Sequence, residues 1–518
     1  MSQPLLRPSL WRRLGQCLFL ALFLFLFIKT DYAGRDELPW AVNLFFRIDP
    51  FLALAAMLAV RMVIALMLPA ALILLLTLLF GRFSCGWICP MGSMIDGSRL
   101  LLRSRMKVPN LPGWKYALLL TLLTASFCGL PVAGYLDPFS LLVRGLSFAL
   151  HPAFGSATTS FFTWTYQHAP AWLNAITEPV YAVMKTHLLP FADKVYDLSV
   201  LSLFLLLTVL GLSVLESRFF CRSLCPLGAL LAFLSRYSLF ALAGGGEDCG
   251  KCRHCRDICR MGAIDEQRGI STAECILCLD CLSQCPRSRI HYGLRKNGSG
   301  MQATDLSRRG VITSLTVGAL LPLVLPTRLL TRNADPLLIR PPGALAEADF
   351  LCRCVRCGEC MKVCIGNALQ PAWLEAGLEG IFTPRLIGRI GYCEYNCTLC
   401  GQVCPTGAIR RLSRDEKQRT AIGRAYFNKN RCLPYAAGVP CIVCEEHCPT
   451  PEKAIKFREA AVVNTRGEQV FVRQPYIAGE LCIGCGICEN RCPLDGGAAV
   501  IVTSEGASRG GGKIREGY

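Results

Sequence analysis

The reading of this 518-residue chain turns on one stretch, Cys249-Gly250-Lys251-Cys252-Arg253-His254-Cys255-Arg256-Asp257-Ile258-Cys259, followed by Cys275-Ile276-Leu277-Cys278-Leu279-Asp280-Cys281-Leu282-Ser283-Gln284-Cys285-Pro286. Both halves have the spacing C-x2-C-x2-C-x3-C. Three soft thiols in so short a loop can wrap one iron–sulfur cube, while the remote fourth, opening a helix-like turn, ligates the neighbouring cube. Cys259 and Cys285 are therefore expected to cross over. Zinc sites instead use C-x2-C pairs separated by a dozen or more residues. Working outward, the same pattern recurs. Cys354, Cys357, Cys360 and Cys364 keep it; Cys393, Cys397, Cys400 and Cys404 have one more residue in the first gap. Cys432, Cys441, Cys444 and Cys448 carry an insertion there, and Cys482, Cys485, Cys488 and Cys492 close the series before Pro493. The spacing predicts six [4Fe–4S] clusters.

Composition sets the frame around these loops. The chain is 52% hydrophobic and 18% charged, with a mean hydropathy of +0.39, too apolar for disorder and unlike an ordinary soluble globule. The formal charge is +18, which alone would raise nucleic acid as a partner. Four thiolates around each cube leave about −2 per cluster, so six clusters would cancel about 12 of those charges. Nucleic acid is discounted.

Five apolar runs approach the roughly 20 residues that a bilayer core requires: 14–28, 62–80, 116–136, 198–215 and 310–327. Arg7, Arg12 and Arg13 precede the first, and Arg99, Arg103, Arg105, Lys107 and Lys115 lie between the second and third. Only Arg144, Lys185 and Lys194 occupy the long connection 137–197. This asymmetry places the N-terminus inside. Four spans then return the chain to the cytoplasm and the fifth carries it out. The aromatic-rich stretch 145–177 reads as a helical layer on the outer face.

The first 243 residues contain an internal repeat. Arg82-Phe83-Ser84-Cys85-Gly86-Trp87-Ile88-Cys89-Pro90-Met91-Gly92 matches Arg218-Phe219-Phe220-Cys221-Arg222-Ser223-Leu224-Cys225-Pro226-Leu227-Gly228 at the Arg, Phe, both Cys, Pro and Gly positions. Asp49-Pro50 and Asp137-Pro138 mark the opposite ends of the hairpins. A duplicated hairpin suggests a four-helix bundle with a pseudo-twofold axis. The pairs Cys85/Cys89 and Cys221/Cys225, at i and i+4, are expected to put two thiols on one helix face. They could share a further metal or cluster, cycle as redox-active thiols, or be structural. Cys17 and Cys128 read as small hydrophobes inside spans, and Cys352 as a spare. His151, His168, Asp49 and Asp137 near the outer face are candidates for exchanging protons.

Ahead of the fifth span stands Ser307-Arg308-Arg309-Gly310-Val311-Ile312, which looks like an internal twin-arginine export signal. Sixteen of the quartet cysteines lie downstream. Clusters assembled in the reducing cytoplasm would have to cross the membrane already folded, so the twin-arginine translocase is an expected partner in biogenesis.

At these motifs the chain resembles two protein types joined end to end. Residues 1–300, with four spans, two C-x3-C-P motifs and a two-cluster ferredoxin, resemble the NapH-type membrane quinol dehydrogenase subunit. Residues 305–500 resemble its NapG-type or MauM-type periplasmic partner, including Arg340-Pro341-Pro342-Gly343-Ala344-Leu345 before the third quartet. The chain departs from that pattern in being fused, and in having Arg260 and Ile365 where some quartets place proline. The resemblance implies an inner-membrane oxidoreductase that takes electrons from the quinone pool and passes them through clusters to a periplasmic cytochrome c or terminal reductase, such as a nitrate reductase system. An alternative is a metal-reducing or maturation factor, and another is reduction of the inner clusters by a soluble donor. No C-x-x-C-H is present, so the chain carries no c-type haem of its own. The expected fold class is an α-helical membrane bundle joined to loop-rich α+β ferredoxin modules: 1–243 bundle, 244–300 cytoplasmic two-cluster module, 301–335 signal and fifth span, 336–500 periplasmic four-cluster module, 501–518 flexible tail.

Overall fold

Prolines and glycines divide the apolar runs into short helices. In the computed structural model, which describes residues 8–99, 112–244, 249, 252–286, 288–295, 307–324, 335–464 and 466–509, the chain forms two compact units. One comprises Met1–Phe27, Asn43–Leu146 and Val200–Val324; the other comprises Ile28–Val42, Ser147–Ser199 and Leu325–Tyr518.

The first unit is helical. Asp49 caps helix Pro50–Val60 and Asp137 caps Pro138–Gly145, each with proline at the first position, where its missing N–H costs nothing. Helix Ala70–Phe80 stops at Gly81, whose φ of 80° leaves the helical region. Helix Pro112–Phe127 packs against Pro50–Val60, Pro226–Ser235 and Arg308–Val324. A Cβ on Gly318 would meet the Thr121 carbonyl oxygen at 2.6 Å, so glycine is what lets two of these helices touch. Phe46, Phe51, Leu52, Met91, Leu142 and Leu231 fill the core. The segment carrying the first two cysteine quartets is closed by an antiparallel ribbon, Phe240–Ala243 against His291–Leu294, with Phe240 opposite Leu294.

Beyond the first, the helices are shorter than the apolar runs. Among the described residues, Pro8–Lys29 is the helix long and apolar enough to cross a membrane. The second run is split by Pro69, leaving 11 residues in Ala70–Phe80, about 16 Å at ~1.5 Å per residue. The third ends at Phe127 before Gly129 and Pro131, and the fourth runs as Ser199–Gly211 with a tighter final turn. Of the fifth, Arg308–Val324 is helical, and 325–327 lie outside the described residues, as do Arg7, Arg103, Arg105 and Lys107.

The second unit joins a helical pair, His151–His168 and Ala171–His187, to loops and two-stranded ribbons: Leu369–Pro371 with Pro384–Leu386, Arg424–Phe427 with Val500–Thr503, and Ile455–Val463 with Gln469–Ile477. The expected boundary at residue 243 is thus not the boundary of packing, because 28–42 and 147–199 fold with the C-terminal module. The expected flexible tail also begins too early. Residues 500–503 alternate inward and outward as a strand, and Arg509 holds Glu347 and the Leu338 carbonyl; residues 510–518 lie outside the described set.

Candidate iron–sulfur centres

Wrapping three thiols around one point forces the chain through left-handed turns. Leu277 and Leu279 flank Cys278, Arg356 and Gly358 flank Cys357, and Gly484 and Gly486 flank Cys485, all at positive φ. Glycine takes that conformation at no steric cost, while a leucine or arginine there costs about 1–2 kcal/mol, a strain that the surroundings must impose.

The quartets interlock in pairs. Cys249, Cys252 and Cys255 line an apolar cavity with Cys285, while Cys281 gathers Cys275, Cys278 and Cys259 about it. Cys354, Cys357 and Cys360 share a cavity with Cys404, and Cys400 has Cys397, Cys393 and Cys364 as neighbours. Cys432, Cys441 and Cys444 enclose a cavity with Cys492, and Cys482, Cys485 and Cys488 enclose one with Cys448. The crossover expected for Cys259 and Cys285 is present, and it recurs in the third quartet with the fourth and in the fifth with the sixth.

The crossing cysteines are prepared as acceptors. Backbone N–H groups of Ala263, Arg289, Ile409 and Ala499 donate to Cys259, Cys285, Cys404 and Cys492 Sγ at 3.3, 3.4, 3.4 and 3.4 Å. Burial pushes the Cys397, Cys444 and Cys485 thiols up to about 12, so a metal must supply the charge that makes them thiolates. Among the described residues no three of His, Cys, Asp and Glu converge to hold a single ion. Four thiols spread around an apolar cavity fit a cube of several irons instead.

The pairs of cysteine sets in the second unit are joined by their backbones, since Cys393 N–H donates to the Cys485 carbonyl at 2.8 Å. Lys417 lies buried beside this junction, its Nζ bonded to the carbonyls of Glu394 and Tyr395 at 3.0 and 3.2 Å. Burial would pull its ammonium down, but Cys393, Cys485, Cys400 and Cys397 outweigh it and hold the cation above its ordinary range.

The C-x3-C-P cysteines do not lie on one continuous helix face. Proline disfavours helical backbone in the residue before it, so Cys89 and Cys225 take extended backbone and become the N-caps of Pro90–Ser98 and Pro226–Ser235. The four thiols nevertheless gather: Cys85 and Cys221 neighbour Cys89, and Cys221, Cys85 and Cys89 neighbour Cys225. Cys85 and Cys221 also pack in one cluster with Cys259, Cys275 and Cys278. A Cβ on Gly86 would be 2.2 Å from the Ile276 carbonyl oxygen, and Trp87 Nε1 donates to the Leu277 carbonyl at 2.9 Å. The repeated arginines exchange places. Arg218 reaches the carbonyls of Cys85 and Gly92 at 3.2 and 3.3 Å, and Arg82 lies over Gly228 while bonding the Ala273 carbonyl at 2.9 Å.

Asp96 holds this region together, bound by Arg218 at 2.8 Å, Arg260 at 3.0 Å and Arg12 at 3.4 Å. Burial pushes its carboxyl up, but Arg218 and Arg260 outweigh burial and hold it well below the usual range. In the second unit Asp31 plays a like role, with Lys362 and Lys194 at 2.9 and 3.1 Å and His151 Nδ1 at 3.7 Å. No local pattern announces either knot, because the partners are remote in sequence. His168 is bound to the Trp164 carbonyl within its own helix. Cys17 lies on an exposed helix surface, Cys128 is exposed in the turn that follows Pro112–Phe127, and Cys352 is half-buried.

A family profile described as a 4Fe-4S binding domain matches residues 62–109, 198–242 and 400–424, which include Cys85, Cys89, Cys221, Cys225, Cys400 and Cys404. The methylamine utilization ferredoxin-type protein MauM of Methylorubrum extorquens is 35% identical over 137 residues, 26% of this chain and 60% of that protein. The ferredoxin-type protein NapG of Escherichia coli K12 is 35% identical over 127 residues, 24% of this chain and 54% of that protein. An uncharacterized protein of Methanocaldococcus jannaschii is 29% identical over 223 residues, 42% of this chain and 75% of its own length. The chain spans less than two thirds of the length of the MauM and NapG relatives cited, and no solved structure matches it significantly. Iron–sulfur ferredoxin domains and homology to MauM- and NapG-type ferredoxin proteins are therefore what the chain shares with known proteins.

Proposed function

We propose that the chain is a membrane-bound quinol dehydrogenase that passes electrons through six [4Fe–4S] clusters to an acceptor outside the cytoplasm. The observation that carries this reading is the meeting of two cysteine systems in the first unit: Cys85 and Cys221 pack against the same buried cluster of Met261, Ala263, Ile276 and Cys278 as Cys259 and Cys275 do. Each set of four quartet thiols would hold one cluster, which when bound accepts and donates single electrons. The protein's own part is to fix spacing and field. Trp87 and Gly86 hold the Cys275–Cys281 loop against the first C-x3-C-P motif, and Ser217 Oγ, just before the second, ties down the chain that follows Cys259 by donating to the Arg260 carbonyl at 2.8 Å. Cys85, Cys89, Cys221 and Cys225 would then act as a further metal or cluster site or as a thiol relay.

A multi-pass topology is part of the proposal. It is supported by the apolar helix Pro8–Lys29, by the Lys/Arg asymmetry, and by the grouping of 28–42 and 147–199 with the C-terminal module. Those segments are the ones assigned outside by charge, and the C-terminal module is the one preceded by Arg308-Arg309. Quinone, a periplasmic cytochrome c or terminal reductase, and the twin-arginine translocase are the partners this reading requires.

The test uses full-length protein purified without oxygen. A quinol should reduce the clusters, read by electron paramagnetic resonance, and Cys89→Ser with Cys225→Ser should abolish quinol-driven reduction while dithionite still develops every cluster signal. Undiminished quinol reduction in that double variant would mean that the paired cysteines are scaffolding.

A further inference from the structure

Asp49 and Asp137 belong to the first unit, at equivalent points of its repeat, and the electron path uses neither. Both are fully buried. Each spends one oxygen on its helix: Asp49 Oδ1 accepts from Phe51 and Leu52 N–H at 2.8 and 3.1 Å, and Asp137 Oδ2 accepts from Ser140 N–H at 2.7 Å. The remaining oxygens, Asp49 Oδ2 and Asp137 Oδ1, are buried and have no donor in hydrogen-bonding geometry, although the Ser140 hydroxyl lies close enough to favour the Asp137 anion. The two carboxyls are each other's hydrogen-bonding neighbours. Two carboxylates would repel there and neither can donate, whereas a single proton held between them would serve both orphaned oxygens.

Other carboxyls of this unit are ion-paired. Asp96 is held by Arg218 and Arg260, Asp280 by Arg260, and Glu274 by Arg82 and Lys115. Neither Asp49 nor Asp137 lies within ion-pair distance of a lysine or arginine among the described residues. Arg144, the charged neighbour that favours the Asp137 anion, donates to the Tyr135 carbonyl. Burial pushes both carboxyls above the usual range, and Asp137 adds to the push on Asp49.

We propose that Asp49 and Asp137 share one proton and form the acceptor for a proton released by quinol in this unit; this role rests on the quinol reading above. Oxidation of one quinol to quinone releases two electrons and two protons. The electrons enter the clusters singly. One proton converts the pair from singly to doubly protonated, the other leaves to water, and the pair resets by losing its extra proton to water.

The test compares full-length wild type with Asp49→Asn and Asp137→Asn, since asparagine keeps each N-cap. Infrared spectroscopy should show a buried protonated-carboxyl C=O stretch in the wild type that either substitution removes. Quinol-driven cluster reduction should fall at least about a hundredfold, the lower end of the range general acid–base groups contribute, while the dithionite-reduced spectrum stays unchanged. A stretch that survives both substitutions overturns the shared proton. Removal of the stretch with undiminished quinol oxidation overturns the proton-accepting role. A wild type that loses the stretch on substitution but is not reduced by quinol overturns the parent reading and with it this role, leaving the carboxyl pair established.

Discussion

Asp31 lies at the centre of a charged knot whose lysines are themselves buried. Burial alone would push its carboxyl up, but Lys362, Lys194 and His151 outweigh it and hold the group below its ordinary value of 3.8. Removing one partner of a buried ion pair strands the other, at a cost of about 3–5 kcal/mol. Asp31→Asn should therefore lower the thermal stability of the second unit by that order near neutral pH. Because the folded pKa is depressed, Asp31 stabilises above 3.8, its ordinary value, and the contribution fades as pH falls below it. The difference between variant and wild type should shrink in melts below about pH 4; a difference independent of pH would mean that packing, not charge, sets the cost.

Among the elements, helix Arg308–Val324 has a double reading. Its sequence suits an export signal, yet it packs along Pro112–Phe127 with Ser314 and Gly318 buried. Thr121 Oγ1 donates to the Ser314 carbonyl at 3.2 Å, a polar contact across two apolar helices of the kind that joins helices where no hydrophobic gain is available. Gly318→Ala would put a methyl 2.6 Å from the Thr121 carbonyl oxygen, and overpacking of this kind costs about 1–3 kcal/mol. The variant should melt at lower temperature with its clusters intact before melting. An unchanged melting curve would show that the helices can separate freely.

At the scale of the whole molecule, the six sets of four cysteines predict about 24 iron atoms per chain. Iron and acid-labile sulfide analysis of anaerobically purified protein, with thiols counted after unfolding, checks this; fewer than about 16 irons with all cysteines reduced would remove at least two clusters from the wire. Within the second unit the Cys393 N–H bond to the Cys485 carbonyl joins the backbones of two of these cysteine sets. Segment 28–42 adds to the same body, with Arg414 on Asp36 at 3.1 Å and Gln402 Nε2 donating to the Asp36 carbonyl at 2.7 Å.

Ligand spacing is local, so six cysteine quartets, their iron–sulfur chemistry and the crossover of Cys259 with Cys285 were legible in the sequence, as were the duplicated C-x3-C-P motifs. Hydropathy also located the apolar runs, but not where they break, because Pro69 and the Gly129–Pro131 segment interrupt the helices without introducing a charge. The pairing of Cys404 with Cys354, Cys357 and Cys360, and of Cys492 with Cys432, Cys441 and Cys444, was left open, since any two of four similar loops could have exchanged ligands. Only the tertiary structure decided it, by folding consecutive quartets against one another. It also decided the placing of Cys85 and Cys221 beside the second cysteine set, the ion-pair knots at Asp96 and Asp31, and the meeting of Asp49 with Asp137. The reason is the same in each case: a buried charge or thiol takes its character from neighbours brought to it across long stretches of chain, and no window of sequence contains them.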